Sequence, residues 1–301
     1  MYLPLVSVIL CNYNYEAYVG QAIRSVLNQT YPNIELVIVD DGSTDNSREV
    51  ISTYVSSNPG SVTTIFKKNG GQASAFNAGF DRVKGEIICF LDSDDCWVHE
   101  KAERVVQAYR QKEYSVVQHN LYVMDEKSNV SKEIHPGTYF SGDVLQAYFI
   151  QNHTDFFSST SGISSLKKHL DQIFPLDECW RICADVAVTR PLPIFGEVLT
   201  LKANLGYYRI HGHNTWMNST SQSRWIENRE SYVQYANSKL AEFGLLGGLD
   251  FRKSVAYKAW KLQNARSGMR SVLNCADLLL SKIVIKFRLL MLQGLAKKEL
   301  Q

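Results

Sequence analysis

Two stretches of the chain decide the fold: residues 34–43 read IELVIVDDGS, and residues 87–95 read IICFLDSDD. In each, a short run of mostly branched apolar residues passes directly into aspartates, which is typical of a buried parallel strand that ends at an open sheet edge. In open α/β sheets, ligands bind in the crevice at that edge. Clustered carboxylates repel one another unless a cation or hydrogen-bond donors hold them, so the pattern predicts a metal-binding crevice. The alternative is a pair of solvated turns or helix caps, where Asp and Ser are common.

Strand and helix patterns alternate through the first 125 residues. This βαβα order predicts an α/β fold with a Rossmann-like, mostly parallel sheet flanked by helices on both faces. Farther along, the patterns predict a helix around 180–190, a strand around 206–210 and a helix over 222–243. The predicted early strands are 6–11, 34–39, 61–66, 86–91 and 115–124, and the predicted early helices are 17–28, 45–56, 74–82 and 99–111.

The composition is that of a globular protein, because 45% of the 301 residues are hydrophobic and 21% are charged. No apolar run approaches the roughly 20 residues that span a bilayer, and no leader segment is recognisable. The six cysteines contain no CxxC pair. Cys11 and Cys89 fall in strand-like runs, which favours buried free thiols and a reducing, cytoplasmic location.

The charge is unevenly distributed along the chain. Residues 251–301 hold eleven Lys and Arg against two acidic residues, a net charge of +9, whereas the first 250 residues carry −7. A helix predicted over 277–295 places Lys282, Lys286 and Lys297 along one stripe. Three interpretations of this helix stay open. It could pack on the catalytic part of the chain or on a second copy, it could lie peripherally on the inner face of an anionic membrane, or it could bind nucleic acid. The chemistry of the aspartate clusters argues against nucleic acid.

The unit Asp92-Ser93-Asp94 suggests the ligand of the crevice. Carboxylates two residues apart beyond a strand can bind a hard divalent cation, and Mg²⁺ keeps open positions for substrate phosphates, which suits a nucleotide diphosphate. The chain lacks a GxxxxGK[ST] loop, which argues against an NTPase, and no GxGxxG follows the first strand, which argues against a dinucleotide dehydrogenase. Residues 11–15 read CNYNY instead and offer amide, hydroxyl and aromatic groups suited to a base and its ribose.

Residues 5–100 contain the motifs VSVI at 6–9, NYN at 12–14, SVLNQT at 25–30, VDDGSTD at 39–45, NGGQASAFNAG at 69–79, GE at 85–86 and FLDSDDCW at 90–97. In order and spacing, this set of motifs resembles the family 2 glycosyltransferases. The resemblance implies an A-type glycosyltransferase (GT-A) fold, which is a Rossmann-like domain that binds a nucleotide-diphospho-sugar and a divalent cation, Mn²⁺ or Mg²⁺. A UDP-sugar is the expected donor.

The resemblance also implies roles for individual residues of the donor site. Tyr13 and Asp41 would hold the nucleoside, with contacts from Cys11. Asp92 would lie near the ribose or sugar, and Asp94 would bind the cation. Gln72 lies in a segment that contacts the base or diphosphate in the family. The full set expected to bind the donor is Cys11, Tyr13, Asp41, Gln72, Asp92, Ser93 and Asp94.

The second half of the chain supplies the expected catalytic base. These enzymes carry a Glu-Asp pair at the start of a helix, and the corresponding residues here are Ala184 and Asp185. The resemblance therefore leaves Asp185 to take the proton from the acceptor hydroxyl as it attacks the anomeric carbon. The alternative for Asp185 is a helix cap.

An Arg-x-His unit, Arg209 to His211, also matches the family. It implies that His211 is a third cation contact beside Asp92 and Asp94, and the alternative is a structural histidine. Arg209 is a weaker candidate for pairing with a phosphate.

These observations predict a catalytic domain over 1–218 and a helical C-terminal extension over 219–301. Within the domain we expect a nucleotide-binding half (1–125) and an acceptor-side half (126–218). The expected reaction is metal-dependent, inverting sugar transfer to a hydroxyl of a glycan or lipid-linked saccharide, in surface polysaccharide synthesis. One alternative is a catalytically silent nucleotide-sugar binder, because Ala184 replaces the first acid. The other is a sugar-phosphate nucleotidyltransferase, although residues 12–15 lack the Gly-rich, Arg-containing loop that it would need.

Overall fold

The computed structural model describes residues 2–58, 60–137, 140–151, 156–214, 222–245, 248–254 and 257–258. The chain divides into two compact units. Unit one comprises residues 1–143 and 156–219, and unit two comprises residues 144–155 and 220–301. The predicted helix at 277–295 lies outside the described residues, and the domain boundary at 218 stays a prediction.

Strands and helices alternate at the start of unit one, as the sequence predicts. Apolar residues that are buried on both faces build the central strand, since Val8 and Ile9 are both 0% exposed. The elements are β1 (Val6–Asn12), α1 (Val19–Leu27), β2 (Ile34–Asp40), α2 (Ser47–Ser57), β3 (Val62–Phe66), α3 (Gln72–Phe80) and β4 (Ile87–Asp92).

The strands of this first part form a parallel sheet in the order β3-β2-β1-β4. Helix α3 packs closely on β1 because Gly79 has no side chain: a Cβ there would lie 2.7 Å from the Ile9 side chain. The predicted parallel α/β arrangement is confirmed here, and it brings the carboxyl ends of β1, β2 and β4 to one edge.

The rest of unit one extends the same sheet with strands of both directions. Among the described residues the sheet has nine strands, and its order continues from β4 as β8-β6-β9-β5, with β7 on β6. The elements are β5 (Cys96–Trp97), α4 (Lys101–Gln111), β6 (Val116–Asp125), β7 (Val130–His135), β8 (Ile163–Leu166), α6 (Lys167–Leu170), α7 (Ala184–Thr189) and β9 (Val198–Ile210).

Strand β8 explains why this part of the sheet is mixed. It lies between β4 and β6 and is antiparallel to both, whereas β6 and β9 are parallel. The strand reads ISSL, and both of its serines are buried. Their hydroxyl groups keep hydrogen-bond partners there, because Ser164 Oγ donates to Val117 O at 2.6 Å and Ser165 Oγ donates to Ser115 O at 2.7 Å. Polar side chains thus stand in the middle of the sheet, which the apolar pattern did not indicate.

Unit two contains α5 (Val144–Gln151) and α8 (Gln222–Glu242), and α8 confirms the helix predicted over 222–243. Asn237 on α8 holds the chain at Leu249 by two hydrogen bonds, from its Nδ2 to Leu249 O at 2.9 Å and from Leu249 N to its Oδ1 at 2.8 Å. Within the described ranges, no helix combines the length and the apolar character needed to cross a lipid bilayer.

A lysine lies in the core beneath the end of β4. Lys101 is 0% exposed, its Nζ donates to Ser161 O at 2.8 Å, and the same Nζ lies 3.4 Å from the centre of the Trp97 ring. Trp97 Nε1 donates to the same carbonyl at 3.0 Å. Burial lowers the pKa of Lys101 from 10.5 to about 7, because the charged form loses its hydration.

This lysine predicts a pH-dependent difference in stability. Between about pH 7 and pH 10 the unfolded chain binds more protons at this position than the folded chain, so the wild type gains stability as pH rises. The stability of Lys101→Met relative to wild type should therefore be greatest near pH 6.5 and fall by up to about 4 kcal/mol toward pH 10. Urea denaturation across this range measures the difference. The exposed Lys84→Met is the control, and a pH-independent difference for Lys101→Met would contradict the prediction.

Candidate active site

The predicted crevice residues meet at the carboxyl edge of the parallel strands. Cys11 on β1 is paired with Asp92 on β4 and with Val39 on β2, and Asn12 is paired with Asp40. The end of β4 and the turn after it carry three carboxylates, Asp92, Asp94 and Asp95. We call residues 92–95 the aspartate loop.

Asp94 is held by two side chains that follow the end of β9. His211 Nε2 lies 3.1 Å from Asp94 Oδ2, and Asn214 Nδ2 lies 3.4 Å from the same oxygen. The Nδ1 atom of His211 accepts the main-chain N–H of His213 at 3.2 Å. The Nε2 atom therefore carries the ring proton and donates a hydrogen bond to Asp94 Oδ2. The structure brings together the predicted cation residues Asp94 and His211, and Asn214 is a neighbour that the sequence did not reveal.

Two carboxyl groups of the aspartate loop have raised pKa values. Burial, followed by the charges of Asp94 and Asp185, raises the pKa of Asp92 to about 8. Burial and the charges of Asp94 and Asp92 raise the pKa of Asp95 well above its usual value. Carboxylates in such a site are stabilised by a divalent cation, which favours their charged forms.

The donor set fits Mn²⁺ or Mg²⁺, because carboxylate oxygens suit both ions and an imidazole also suits transition metals. Among the residues that the structure describes, no three His, Cys, Asp or Glu side chains already form a group that could hold a metal ion. His211 would have to give up its Nε2 proton to become a ligand. Cation binding by Asp92, Asp94 and His211 thus stays a prediction.

Asp41, predicted to hold the nucleoside, also anchors the loop before α3. Its carboxylate accepts Lys67 Nζ at 2.6 Å, the Gly70 N–H at 2.9 Å and the Gly71 N–H at 2.7 Å. Gly71 has a φ of 90°, and a Cβ there would lie 2.7 Å from the Arg181 Cα. Only glycine fits this close approach. Because Asp41 accepts the N–H groups of Gly70 and Gly71, it fixes the main chain of the loop before α3.

The other predicted donor residues differ in exposure. Tyr13 is 45% exposed just beyond β1, where its ring is available for stacking. Burial, and then the charges of Asp92 and Asp41, raise the pKa of Cys11 well above its usual value, so its thiol stays neutral. Ser93 is 1% exposed, and its predicted contact with the donor stays a prediction.

Helix α3 holds the segment of residues 176–184, which we call the docked segment. The main-chain N–H groups of Gln72 and Ala73, at the start of α3, donate to Arg181 O at 2.9 Å and Trp180 O at 3.1 Å. These are donors that a helix N-terminus would otherwise leave unpaired. The docked segment thereby caps α3.

Side chains of α3 complete this attachment. Asn77 makes two hydrogen bonds with Leu176. Asn77 Nδ2 donates to Leu176 O at 2.9 Å, and the Leu176 N–H donates to Asn77 Oδ1 at 2.7 Å. Ser74 Oγ donates to Glu178 Oε1 at 3.0 Å. The motif at 69–79 includes these residues, but the sequence does not show that their partners lie about 100 positions away.

Gln72, predicted to contact the donor, links two parts of the site. Its Oε1 accepts the Ala184 N–H at 2.8 Å, and its Nε2 lies 3.4 Å from Asp92 Oδ1. Gln72 therefore joins the aspartate loop to the first turn of α7. Its contact with a base or diphosphate stays a prediction.

Asp185 lies in the first turn of α7, close enough to Asp92 for its charge to raise the Asp92 pKa. The residue at the cap position of this helix is Cys183, which has a left-handed φ of 56°. Asp185 is thus not the cap residue itself. The structure brings the predicted base to the aspartate loop.

Arg209 is not placed as a phosphate ligand. It is 1% exposed, and its guanidinium is hydrogen-bonded to protein oxygens, among them Asp94 O at 2.8 Å. The expectation that it pairs with a phosphate is therefore not supported.

Comparison with known proteins gives consistent matches. Residues 7–172 match the family described as glycosyl transferase family 2. An uncharacterized glycosyltransferase of Nostoc sp. is 36% identical over 283 residues, which cover 91% of this chain and 88% of that protein. The putative teichuronic acid biosynthesis glycosyltransferase TuaG of Bacillus subtilis is 38% identical over 104 residues, which cover 35% of this chain and 41% of that protein.

Two solved structures share the fold at low identity. The structure of S. aureus TarS 1-349 in complex with UDP-GlcNAc has a TM-score of 0.61 at 17% identity, and the match covers 92% of this chain and 81% of that chain. The mannosyltransferase PcManGT from Pyrobaculum calidifontis, in complex with GDP-Man and Mn²⁺, has a TM-score of 0.55 at 16% identity, covering 94% and 87%. The predicted GT-A type of fold is confirmed.

The attachment of the docked segment can be tested at Asn77. Asn77→Ala leaves the Leu176 N–H and carbonyl without their partner, and each lost hydrogen bond costs about 1–3 kcal/mol. We expect a lower free energy of unfolding and faster amide hydrogen exchange across residues 176–184. Asn33→Ala, which removes an exposed hydrogen bond to Leu3 O, is the matched control. Destabilisation without faster exchange in this segment would show that Asn77 does not hold it.

Proposed function

Because this chain belongs to glycosyltransferase family 2, we propose that it transfers a sugar from a nucleotide diphosphate, with a UDP-sugar as donor, to a hydroxyl of a glycan or lipid-linked saccharide. The chain is a glycosyltransferase, and the proposal concerns its metal dependence, its substrates and the inverting course of its reaction. One observation carries the proposal: the aspartate loop and Asp185 lie within range of each other's charge at the carboxyl edge of a parallel sheet.

The aspartate loop would bind the cation and the donor diphosphate. Asp94 and His211 are already in contact, and Asp92 supplies a second carboxylate beside them. A divalent cation, when bound, neutralises the negative charge that develops on the departing nucleotide diphosphate. The fold neighbour PcManGT is in complex with Mn²⁺, which supports this choice of ion.

The nucleoside would lie between Tyr13 and Asp41, beside Cys11. An exposed aromatic ring offers stacking to a flat base, and the Asp41 carboxylate is fixed by Lys67 and the main chain before any ligand arrives. A fixed acceptor loses little entropy on binding a base N–H. TarS is in complex with UDP-GlcNAc, which favours a UDP-sugar here.

Asp185 would act as the general base. In inverting transfer a single carboxylate takes the acceptor proton on the face opposite the leaving group. Gln72 accepts the N–H of Ala184, so it orients the turn on which Asp185 stands. A catalytically silent binder is the competing function, because Ala184 replaces the first acid of the usual pair.

The base assignment predicts the behaviour of Asp185→Asn. The donor is first found by screening nucleotide sugars for Mn²⁺-dependent hydrolysis by mass spectrometry. We expect Asp185→Asn to lower the rate of hydrolysis or transfer by about 10²–10⁴-fold, while donor affinity changes by less than about twofold, because the carboxylate acts on the nucleophile.

The control for this variant is Asp171→Asn, which neutralises a surface carboxylate paired with Lys167. Wild-type rates in Asp185→Asn would remove the base assignment. A wild-type protein that binds nucleotide sugars without turning any over would favour the silent binder.

The acceptor is proposed to belong to surface polysaccharide synthesis, which the relative TuaG supports. The net charge of +9 over residues 251–301 would bring the enzyme to the inner face of an anionic membrane, where lipid-linked acceptors are available.

Membrane contact predicts charge-dependent binding to vesicles. The triple substitution Lys282→Glu, Lys286→Glu and Lys297→Glu in the full chain reverses the charges of the predicted basic stripe, so flotation with phosphatidylglycerol vesicles should fall sharply. Phosphatidylcholine vesicles are the control and should bind neither protein. Equal flotation of wild type and variant with anionic vesicles would rule out this contact.

A further inference from the structure

A charged guanidinium lies inside unit one, next to the aspartate loop. Arg209 on β9 is 1% exposed. A buried charge is costly unless hydrogen bonds compensate for its lost hydration. The partners of this side chain therefore indicate what it holds in place.

One end of Arg209 holds the main chain of the aspartate loop. Its Nε donates to Asp94 O at 2.8 Å, and its own main-chain N–H donates to Asp95 Oδ1 at 2.9 Å. The bond to Asp94 uses the main-chain carbonyl and not the carboxylate. The Asp94 carboxylate consequently stays available to His211 and to a ligand.

The other end is fixed by two elements distant in sequence. Nη2 donates to Gln21 Oε1 on α1 at 2.6 Å. Nη1 donates to Asp125 O at 3.1 Å and Ser128 Oγ at 3.0 Å, in the turn between β6 and β7. The guanidinium carbon also lies 4.7 Å from the centre of the Tyr18 ring, within cation–π range.

We propose that Arg209 is a positioning residue that fixes the aspartate loop in its ligand-binding conformation by anchoring it to α1 and to the β6–β7 turn. It acts through the main chain of Asp94 and the carboxylate of Asp95. The inference rests on the proposed function only in taking the aspartate loop as the cation and diphosphate site.

This role follows from the repulsion among the loop carboxylates. Asp92, Asp94 and Asp95 stand within four residues, and the contacts of Arg209 with Asp94 O and Asp95 Oδ1 fix the main chain that carries them. A planar guanidinium with several fixed donors can bridge three elements at once, which an ammonium group cannot do with the same geometry. We call the contacts of the Arg209 Nη atoms with Gln21, Asp125 and Ser128 the outer anchor. Removing one contact of the outer anchor should therefore make the aspartate loop more mobile, although the substituted residue lies outside the loop.

The test loosens that outer anchor in the full chain. Gln21→Met removes the Nη2 acceptor and keeps a helix-forming side chain of similar length. Gln107→Met on α4 is the matched control, because Gln107 is exposed and its side chain donates to Glu103 on the same helix. Amide hydrogen exchange of residues 92–97 is measured without metal, and Mn²⁺ binding in the presence of UDP is measured by calorimetry.

We expect Gln21→Met to speed exchange in residues 92–97 by about tenfold and to weaken Mn²⁺ binding by about tenfold, with Gln107→Met unchanged. Arg209→Lys, which keeps the charge, should show the same two effects. Wild-type exchange at 92–97 in both folded variants would overturn the inference. Should the wild type bind no Mn²⁺, the proposed function fails, and the exchange result alone decides the role of Arg209.

Discussion

Three aspartates stand within four residues at the end of a buried strand, and unit one must hold their charges together. Burial and mutual repulsion raise the pKa values of Asp92 and Asp95. His211 contacts the Asp94 carboxylate, and the buried guanidinium of Arg209 donates to the main chain of the loop, so both side chains help the loop to keep its shape. The cation that we propose for this site would relieve the repulsion on binding.

Helix α3 connects this loop to the second half of the chain. Its N-terminus is capped by carbonyls of the docked segment, and Asn77 fixes that segment at Leu176. Gln72 then reaches both Asp92 and the Ala184 N–H. One helix therefore determines where the proposed base lies relative to the proposed cation site. A motif that the family resemblance links to the donor therefore also connects the proposed base with the proposed cation site.

The sequence predicted the parallel half of the sheet because β1, β2 and β4 are buried on both faces and read as continuous apolar runs. It missed β8, because Ser164 and Ser165 are buried in that strand with their hydroxyls paired to a neighbouring strand. It also indicated which residues would gather at the sheet edge. The partner of Asn77 lies 99 positions away and the side-chain partners of Arg209 lie 81 to 188 positions away, and no local pattern encodes such contacts. The Arg-x-His unit was recognised, but only the structure shows that Arg209 points into protein oxygens.

The most direct test of the central claim is a calorimetric titration of UDP into the full-length protein, with Mn²⁺ and with a chelator in its place. If the aspartate loop binds a cation together with a nucleotide diphosphate, UDP should bind at least about tenfold more tightly with Mn²⁺. The same gain should be lost in Asp94→Asn. Equal affinity with and without Mn²⁺ in the wild type would contradict the account.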